Sequence, residues 1–315
     1  MTTLKEKAFS QWSIIKKTAL AWNAADPFRE AAIISYYAIF SIPALLVIII
    51  AAAGLVFGKE AVSGHISAQI SAAIGVEAAK QVEQIVARAS ETKSSVLASI
   101  IGVITLITGA TGVFAQLQKS LNLIWEVEAQ PKKAWLKTLK DRLFSFGLIL
   151  SIGFLLLVSL LISTALSALS DWIKIHLPDF MMFLFRFLSF VVSFAVISIL
   201  FMLMFKILPD VKIKWKNVWI GAVITTLLFI AGKFALGLYF GKSDPGSTYG
   251  AAGSVILIML WVNYSSMIVF FGAEYTKQYS MHQGGKIRPK KDAVILNVTE
   301  KEKIVKDKNM AVKDN

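Results

Sequence analysis

The sequence predicts an all-α, polytopic membrane protein: a bundle of six transmembrane helices with an amphipathic, external helical hairpin between the first two. Three observations support this fold class. Of the 315 residues, 56% are hydrophobic and only 17% are charged, whereas soluble domains are nearer half apolar and a quarter charged. Several apolar runs reach the roughly 20 residues that a helix needs to cross a bilayer. Lysine and arginine are concentrated in alternate connections between these runs.

Six apolar runs are long enough to span a membrane: about 31–57, 95–117, 143–169, 180–208, 218–240 and 251–271. Because lipid offers no partner to backbone N–H and C=O groups, each run is predicted to be a helix. The runs lack the alternating polarity of strands in an outer-membrane barrel.

The distribution of basic residues predicts the orientation of the chain. The N-terminal segment, the second-to-third connection, the fourth-to-fifth connection and the tail are rich in lysine and arginine. The remaining connections carry few cations or balance them with glutamate. The positive-inside rule therefore predicts that both termini are cytoplasmic. This rule also accounts for the formal net charge of +13 without nucleic acid, for which no binding module is visible.

The chain divides into three predicted regions: a cytoplasmic N-terminal interfacial helix at 1–30, a six-span membrane domain at 31–280, and a Lys-rich cytoplasmic tail at 281–315, which its composition predicts to be disordered. One helical face of the first region carries apolar side chains, namely Phe9, Trp12, Ile15, Ala19 and Trp22. This pattern is typical of a helix lying in the membrane interface. Packing of the same face against the bundle is the open alternative.

Residues 60–92 are predicted to form the external hairpin. Isoleucines recur every four residues before Gly75, and a second apolar stripe follows it. Such stripes usually cover a core, here the outer mouth of the bundle, and a lid that guides a substrate is the alternative.

Polar side chains inside the spans mark the candidate cavity or substrate path, because each is costly in lipid. Ser41, Thr108 and Asn263 are each predicted to lie near the midplane, about 12–15 Å from the cytoplasmic boundary. The full candidate set is Tyr36, Ser41, Pro43, Thr108, Thr111, Lys233 and Asn263. Pro43 is expected to interrupt the hydrogen-bond ladder of the first helix. Hydrogen bonding between helices without any cavity is the alternative interpretation.

Lys233 stands apart, because it lies about fifteen residues into the fifth run, in its outer third by helical rise. It is either a functional charge or an anchor whose ammonium reaches the interface.

No catalytic constellation is found in the sequence. The three histidines fall on loops or the tail, no carboxylate pair lies within a run, and neither HExxH, GxSxG nor a Walker loop occurs. Cysteine is absent, which excludes disulfides and thiolate metal sites. The sequence therefore predicts a protein that is not an enzyme and that holds no metal and no cofactor.

Glu274 closes the last apolar run. A carboxylate at a helix C-terminus opposes the macrodipole, so a compensating group is expected nearby. Arg29, Lys119 and Arg142 are the predicted partners, with the N-terminus of a neighbouring helix as another. This makes its predicted role structural, with proton or ion coupling as the alternative.

Several stretches resemble the YihY/BrkB family of bacterial inner-membrane proteins. Its C-terminal signature resembles LPDVKIKWKNVWIGAVITTLLFIAGKFALGLYF and STYGAAGSVILIMLWVNYSSMIVFFGAEY. Its first-span motif resembles AAIISYYAIFSIPALLVII, and the exit from its second span resembles LQKSLNLIWEVEAQPKKAWLK. The resemblance covers about residues 20–280 and assigns structural motif positions to Tyr249, Gly250, Trp261, Gly272 and Glu274.

This resemblance implies a multi-pass protein of the bacterial inner membrane whose partners are membrane lipids and not nucleic acid, and leaves a homo-oligomer open. It implies a transporter or translocator of a lipid or other amphipathic envelope substrate. A non-transporting scaffold is the alternative. The family has also carried the label ribonuclease BN, an activity for which these residues give no chemical reason.

Overall fold

The computed structural model describes residues 4–74, 79–80, 83–84, 112–130, 147, 179–243 and 253–296. The helices within these ranges are α1 (Leu4–Ala24), α2 (Pro27–Phe57), α3 (Lys59–Ile74), α4 (112–124), α5 (Asp179–Ile207), α6 (Trp215–Ser243) and α7 (Gly253–His282). Two short strands, β1 (Val127–Ala129) and β2 (Ala293–Ile295), pair antiparallel with Val127 opposite Ile295.

Three of the described helices are long and apolar enough to cross a membrane. The apolar stretches are Phe190–Ile207 in α5, Trp215–Tyr239 in α6 and Val255–His282 in α7. They match the fourth, fifth and sixth predicted runs, and the first run falls within the 31 residues of α2. The third run, apart from Gly147, and all but the end of the second lie outside the described residues. The helical membrane fold agrees with the sequence, and the count of six spans stays a prediction.

Helix α7 is the central element of the described bundle. It packs along α2, α6 and α1 and touches α3. The main apolar core lies where α4, α5, α6 and α7 meet, and includes Leu121, Phe205, Val218 and Phe270, none more than 2% exposed. This core occupies one end of the bundle, called the α1 end below. Here α2 and α6 begin, α4, α5 and α7 end, and α1, β1 and β2 are added.

Helix α1 packs against α7 instead of lying apart from the bundle. Ile14 and Thr18 are buried, and Trp22 Nε1 donates a hydrogen bond to the Met267 carbonyl oxygen at 3.2 Å. Trp12, which the sequence places on the same apolar face as Trp22, is 66% exposed. The face of α1 that packs on α7 thus differs from the predicted apolar face, because hydrogen bonds as well as apolar area determine which side faces α7. Trp12 stays exposed.

Helix α3 folds back along α2 after Gly58, whose φ of 84° is a left-handed value that glycine adopts without strain. Its residue Ile66 packs in a cluster with Leu46 of α2 and Ile258 of α7. Leu46 lies inside the first apolar run, so α3 packs against that run, and the external hairpin that covers the outer mouth stays a prediction. Most of the second half of the predicted hairpin, 75–92, lies outside the described residues.

Helix α7 continues two turns beyond Glu274 and ends at His282. Its end is marked by Gly284 at φ 73°, with the Gly285 N–H donating to the Ser280 carbonyl oxygen at 2.9 Å, the pattern of a glycine-capped helix. The premise that Glu274 stands at a helix C-terminus is therefore incorrect. The polar residues that end the apolar run are good helix formers, and packing at the α1 end keeps them helical.

Residues 283–296, the return segment, are ordered, although the sequence predicts disorder from residue 281. The segment crosses the connection between α5 and α6, where Lys212 N–H donates to the Arg288 carbonyl oxygen and Lys290 N–H to the Asp210 carbonyl oxygen, both at 2.8 Å. It then forms β2 against β1. The buried side chain of Leu296 helps to hold it. Residues 297–315 lie outside the described part of the chain.

Helices α6 and α7 approach closely through two matching pentapeptides, GAVIT at 221–225 and GAEYT at 272–276. A Cβ on Gly221 would lie 1.8 Å from Thr276 Oγ1, and a Cβ on Gly272 would lie 1.8 Å from Thr225 Oγ1. Each threonine hydroxyl donates to the glycine carbonyl four residues earlier in its own helix, at 2.7 Å. The glycine of each helix thus receives the threonine of the other, and the crossing has approximate two-fold symmetry.

Candidate functional site

Two buried carboxylates face a small cavity at the α1 end. Glu30 of α2 is 4% exposed and Glu274 of α7 is 2% exposed. The cavity has a volume of about 10 Å³ and is also lined by Ser120 of α4, Trp22 and Phe270. A space of about this size accommodates one water molecule when polar partners are present.

Glu30 lies in the first turn of α2, where the helix begins at Pro27. Proline is well suited to the first helical position, and a carboxylate is stabilised there by the helix dipole. Ser120 Oγ donates to Glu30 Oε2 at 2.7 Å and Gln116 Nε2 donates to the same oxygen at 3.4 Å. Arg29 Nη2 lies 3.7 Å from Glu30 Oε1. Ser120 and Gln116 of α4 therefore bind one oxygen of this carboxylate, and the Arg29 guanidinium lies beside the other oxygen.

Glu274 is held within its own helix. Gln278 Nε2 donates to Glu274 Oε1 at 2.7 Å, and Lys277 Nζ lies 3.8 Å from the same oxygen. Lys277 is therefore a cation beside this carboxylate, in addition to the three that the sequence suggests, Arg29, Lys119 and Arg142. Because Glu274 is almost fully buried, it is also not the water-exposed interfacial carboxylate that its sequence position suggests.

Lys277 connects this carboxylate to the end of α4. Its ammonium donates to the Ile124 carbonyl oxygen at 2.8 Å and to Glu126 Oε1 at 3.1 Å. A cation at a helix C-terminus is favoured both by the hydrogen bond and by the dipole. Glu126 adopts a left-handed φ of 55°, which is unfavourable for a residue with a Cβ. The ion pair with Lys277 offsets that strain.

A second polar cluster ties α4 to the connection between α5 and α6. Asn122 Nδ2 donates to Asp210 Oδ2 at 2.9 Å, and the Asp210 N–H donates to Asn122 Oδ1 at 2.7 Å. Gln118 Nε2 donates to Asp210 Oδ2 at 3.4 Å. Lys290 Nζ donates to the carbonyl oxygen of Ile207, the last residue of α5, at 3.0 Å. Both Asn122 and Asp210 are buried, so the reciprocal pair satisfies polar groups that water cannot reach.

The predicted cavity residues are distributed along the described helices. Ser41 is buried, and a Cβ on Gly112 of α4 would lie 3.5 Å from its Oγ. Tyr36 is 58% exposed and contacts Phe40 edge-on, with ring centroids 5.3 Å apart. Helix α2 continues through Pro43. Thr108 and Thr111, the candidates in the second predicted run, lie outside the described residues.

Two further candidates lie on α6 and α7. Lys233 is exposed on α6, and Asn263 is half-buried on α7. Trp261 packs edge-on against Phe229 at 5.9 Å, and Gly272 forms the crossing with α6. In the described part of the chain, Ser41, Lys233 and Asn263 lie on three different helices. The remaining motif positions, Tyr249 and Gly250, lie outside the described ranges.

The structure adds Glu30, Ser120 and Lys277 to the site. Glu30 immediately precedes the first apolar run and Glu274 follows the last one, and the first and last helices of an even-numbered bundle begin and end on the same side. That shared boundary is a signal that could have paired them. Ser120 and Lys277 carry no comparable signal, since their roles depend on how α4 docks. Within the ranges described, no group of three or more His, Asp or Glu side chains could hold a metal ion.

Comparison with known proteins identifies the family. The family model described as virulence factor BrkB matches residues 19–295. UPF0761 membrane proteins of Tolumonas auensis and Pasteurella multocida are 29% and 30% identical over 56% and 60% of this chain. A UPF0761 membrane protein of Pseudomonas aeruginosa is 32% identical over 55% of it.

The matched parts are 56%, 58% and 40% of these three relatives, respectively, so each similarity concerns only part of the relative. No solved structure matches the chain. The family model extends from α1 to β2 and includes every side chain of the Glu30–Glu274 site. The family predicted from the sequence is thereby confirmed, and this membrane protein belongs to the YihY/BrkB family, the virulence factor BrkB family.

Proposed function

We propose that this protein translocates a lipid or another amphipathic envelope substrate across the bacterial inner membrane, with both termini in the cytoplasm. The observation that carries the proposal is the pair of buried carboxylates, Glu30 and Glu274, that face one cavity between α2 and α7. Ionisable groups buried in membrane proteins commonly mark transport paths and proton relays.

The charges themselves argue against a purely structural site. Replacing a buried ion pair by apolar side chains of similar volume is often neutral or stabilising. A scaffold could therefore close the α1 end with leucine and phenylalanine, which already surround the cavity at Leu123 and Phe270. Two buried carboxylates, with Arg29 and Lys277 within 4 Å of them, therefore favour a site that takes part in transport.

In this proposal the site is the cytoplasmic gate. Helix α4 joins α2 to α7 there, because Ser120 Oγ donates to Glu30 of α2 while Lys277 of α7 donates to the Ile124 carbonyl oxygen at the end of α4. Loss of either contact frees one of the two helices from α4 and lets α2 and α7 separate.

An exposed aromatic surface on α2 supports the proposed substrate class. Tyr36, Tyr37 and Phe40 are 58%, 41% and 61% exposed, and Tyr36 contacts each of the other two rings edge-on. They lie two to three turns beyond Glu30 on the same helix. Such a surface fits acyl chains, and the tyrosine hydroxyls supply polar groups that fit a headgroup.

The test uses purified full-length protein in vesicles that contain a fluorescent phospholipid. Chemical quenching from outside measures how fast the labelled lipid changes leaflet. We expect faster exchange than in empty vesicles, and a change of about fivefold or more, roughly 1 kcal/mol, in Glu30→Gln and Glu274→Gln. Glu128→Gln, at an exposed glutamate of β1, is the matched control and should behave as the wild type.

The non-transporting scaffold is the second candidate, and the dense hydrogen bonding between α4 and the α5–α6 connection favours it. The chain has no cysteine, so single cysteines at Ser41, Thr108 and Asn263 can be labelled without background. Labelling by a water-soluble thiol reagent supports a path. Uniform protection, together with vesicles that exchange lipid no faster than empty ones, would replace translocation by the scaffold. RNA cleavage by the purified protein would instead restore the ribonuclease hypothesis.

A further inference from the structure

Two short segments at the α1 end form a basic surface. Residues 211–214 (VKIK) pair antiparallel with 286–289 (KIRP) of the return segment, through a bridge between Val211 and Pro289. In both segments apolar and basic residues alternate. Val211 and Ile213 are buried and Ile287 packs against the core, while the four basic side chains are exposed: Lys212, Lys214, Lys286 and Arg288. These four residues are called the basic patch.

The patch is built at an electrostatic cost. The Lys212 N–H donates to the Arg288 carbonyl oxygen, so in this antiparallel register the two cations stand opposite each other. Like charges directly opposite across paired strands destabilise the pairing. None of the four side chains forms an ion pair with a carboxylate in the described part of the chain. An anion from outside the chain would remove this repulsion.

We propose that the basic patch binds the anionic headgroups of membrane phospholipids. Clusters of lysine and arginine directly beside a membrane-spanning helix are attracted to anionic lipid surfaces, and the attraction grows with each added cation. The patch meets this description, because Lys212 and Lys214 immediately precede α6, which contains the candidate span Trp215–Tyr239.

Two tryptophans place the patch at headgroup level. Trp215 and Trp219 lie one turn apart on α6 and are 54% and 49% exposed. Exposed tryptophans are enriched where membrane meets water. Lys206 Nζ lies over the Trp215 ring, 5.1 Å from its centroid, which orients the ring beside the patch. Because this aromatic pair lies at the start of a candidate membrane span, it favours a lipid surface over a nucleic acid as the partner.

The experiment measures lipid binding to the full chain. Purified protein in nonionic detergent is titrated with dihexanoyl phosphatidylglycerol and, separately, with the zwitterionic phosphatidylcholine of the same chain length, and bound lipid is counted by native mass spectrometry. The test variant is Lys212→Gln/Arg288→Gln. The control is Lys17→Gln/Lys119→Gln, which removes the same charge from exposed lysines outside the patch.

We expect the wild type to prefer the anionic lipid and the test variant to lose affinity for it by about fivefold per removed charge, while the control changes by less than about twofold on the same scale. Equal binding of the two lipids, or an equal loss in both variants, would overturn the proposal. So would tight binding of a single-stranded RNA that depends on the patch in the absence of any lipid preference.

Thermal unfolding separates lipid binding from a structural role. Because the opposed charges repel, the test variant without added lipid should melt at the wild-type temperature or above it. A markedly lower melting temperature would show that Lys212 and Arg288 stabilise the fold, and would also overturn the proposal.

Discussion

Substituting Gly272 by alanine should separate α6 from α7. The new Cβ would lie 1.8 Å from Thr225 Oγ1, 2.9 Å from Thr225 Cβ and 3.1 Å from Phe205 Cζ. The first distance is about 1.6 Å shorter than ordinary van der Waals contact, so the two helices would have to move apart. A gap of only 0.5–1 Å along the rest of the interface loses about a quarter to a half of each contact energy. Thr225 has little freedom to rotate away, because its hydroxyl is bonded to the Gly221 carbonyl oxygen at 2.7 Å.

The expected destabilisation combines two effects. Overpacking a close interface costs about 1–3 kcal/mol, and losing the Thr225 hydrogen bond adds about 1 kcal/mol. The total of about 2–4 kcal/mol corresponds to a fall in melting temperature of about 5–10 °C. The assay is thermal unfolding in detergent followed by intrinsic fluorescence, for which the chain has 8 tryptophans.

Two further variants make the result specific. Gly237→Ala is the control on α6, since a Cβ there meets nothing within 4 Å, and it should keep or slightly raise stability because alanine is the better helix former. Thr225→Gly should rescue Gly272→Ala, because it removes both of the nearest atoms. A melting temperature for Gly272→Ala within 2 °C or so of the wild type, or no rescue by Thr225→Gly, would refute the proposed geometry of the crossing.

Four other outcomes follow from the structure. Lys277→Met should destabilise the protein by about 3–5 kcal/mol in the same melting assay, because it leaves buried carboxylates without their cation; equal stability would contradict the capping role. Asn122→Leu should cost about 2–4 kcal/mol by leaving Asp210 buried with fewer donors, and a melting temperature equal to the wild type would count against it. Lys233→Gln should change stability by less than about 0.5 kcal/mol, since the side chain is exposed; a large loss would indicate a hidden partner. A reporter fused after Lys313 should read cytoplasmic, and an external reading would reverse the orientation.

The helices were predictable from the sequence because their signal is local. Hydropathy over about 20 residues decides whether a segment can sit in lipid, and the fourth, fifth and sixth runs appear in the structure as α5, α6 and α7. The same measure misplaced the end of α7, since apolar composition stops at Glu274 while the helix continues. Hydropathy alone cannot show where α3 packs, because only the contact of Ile66 with Leu46 and Ile258 reveals it.

The candidate site was predictable only in part. Glu274 was singled out from its position, but its partner Lys277 and its neighbour across the cavity, Glu30, depend on how distant elements dock. The Lys-rich composition of residues 281–315 as a whole predicts disorder. It does not reveal that the first part of this tail, the return segment, pairs with distant residues. Apolar and basic residues alternate in both 211–214 (VKIK) and 286–289 (KIRP). Two patterns of four residues are too short to indicate that these segments pair.

The pairing of β1 with β2 also has a consequence for how the protein is made. The partners Val127 and Ile295 are far apart in the chain, and bringing such distant residues together carries an entropic cost that grows slowly with the length of the loop. During synthesis, every predicted span is made before β2. β1 therefore stays without this partner until residues 293–295 have been made. A chain that stops before residue 293 would contain every predicted span but could not form the β1–β2 pair, so we expect it to be cleaved more readily by proteases at the α1 end.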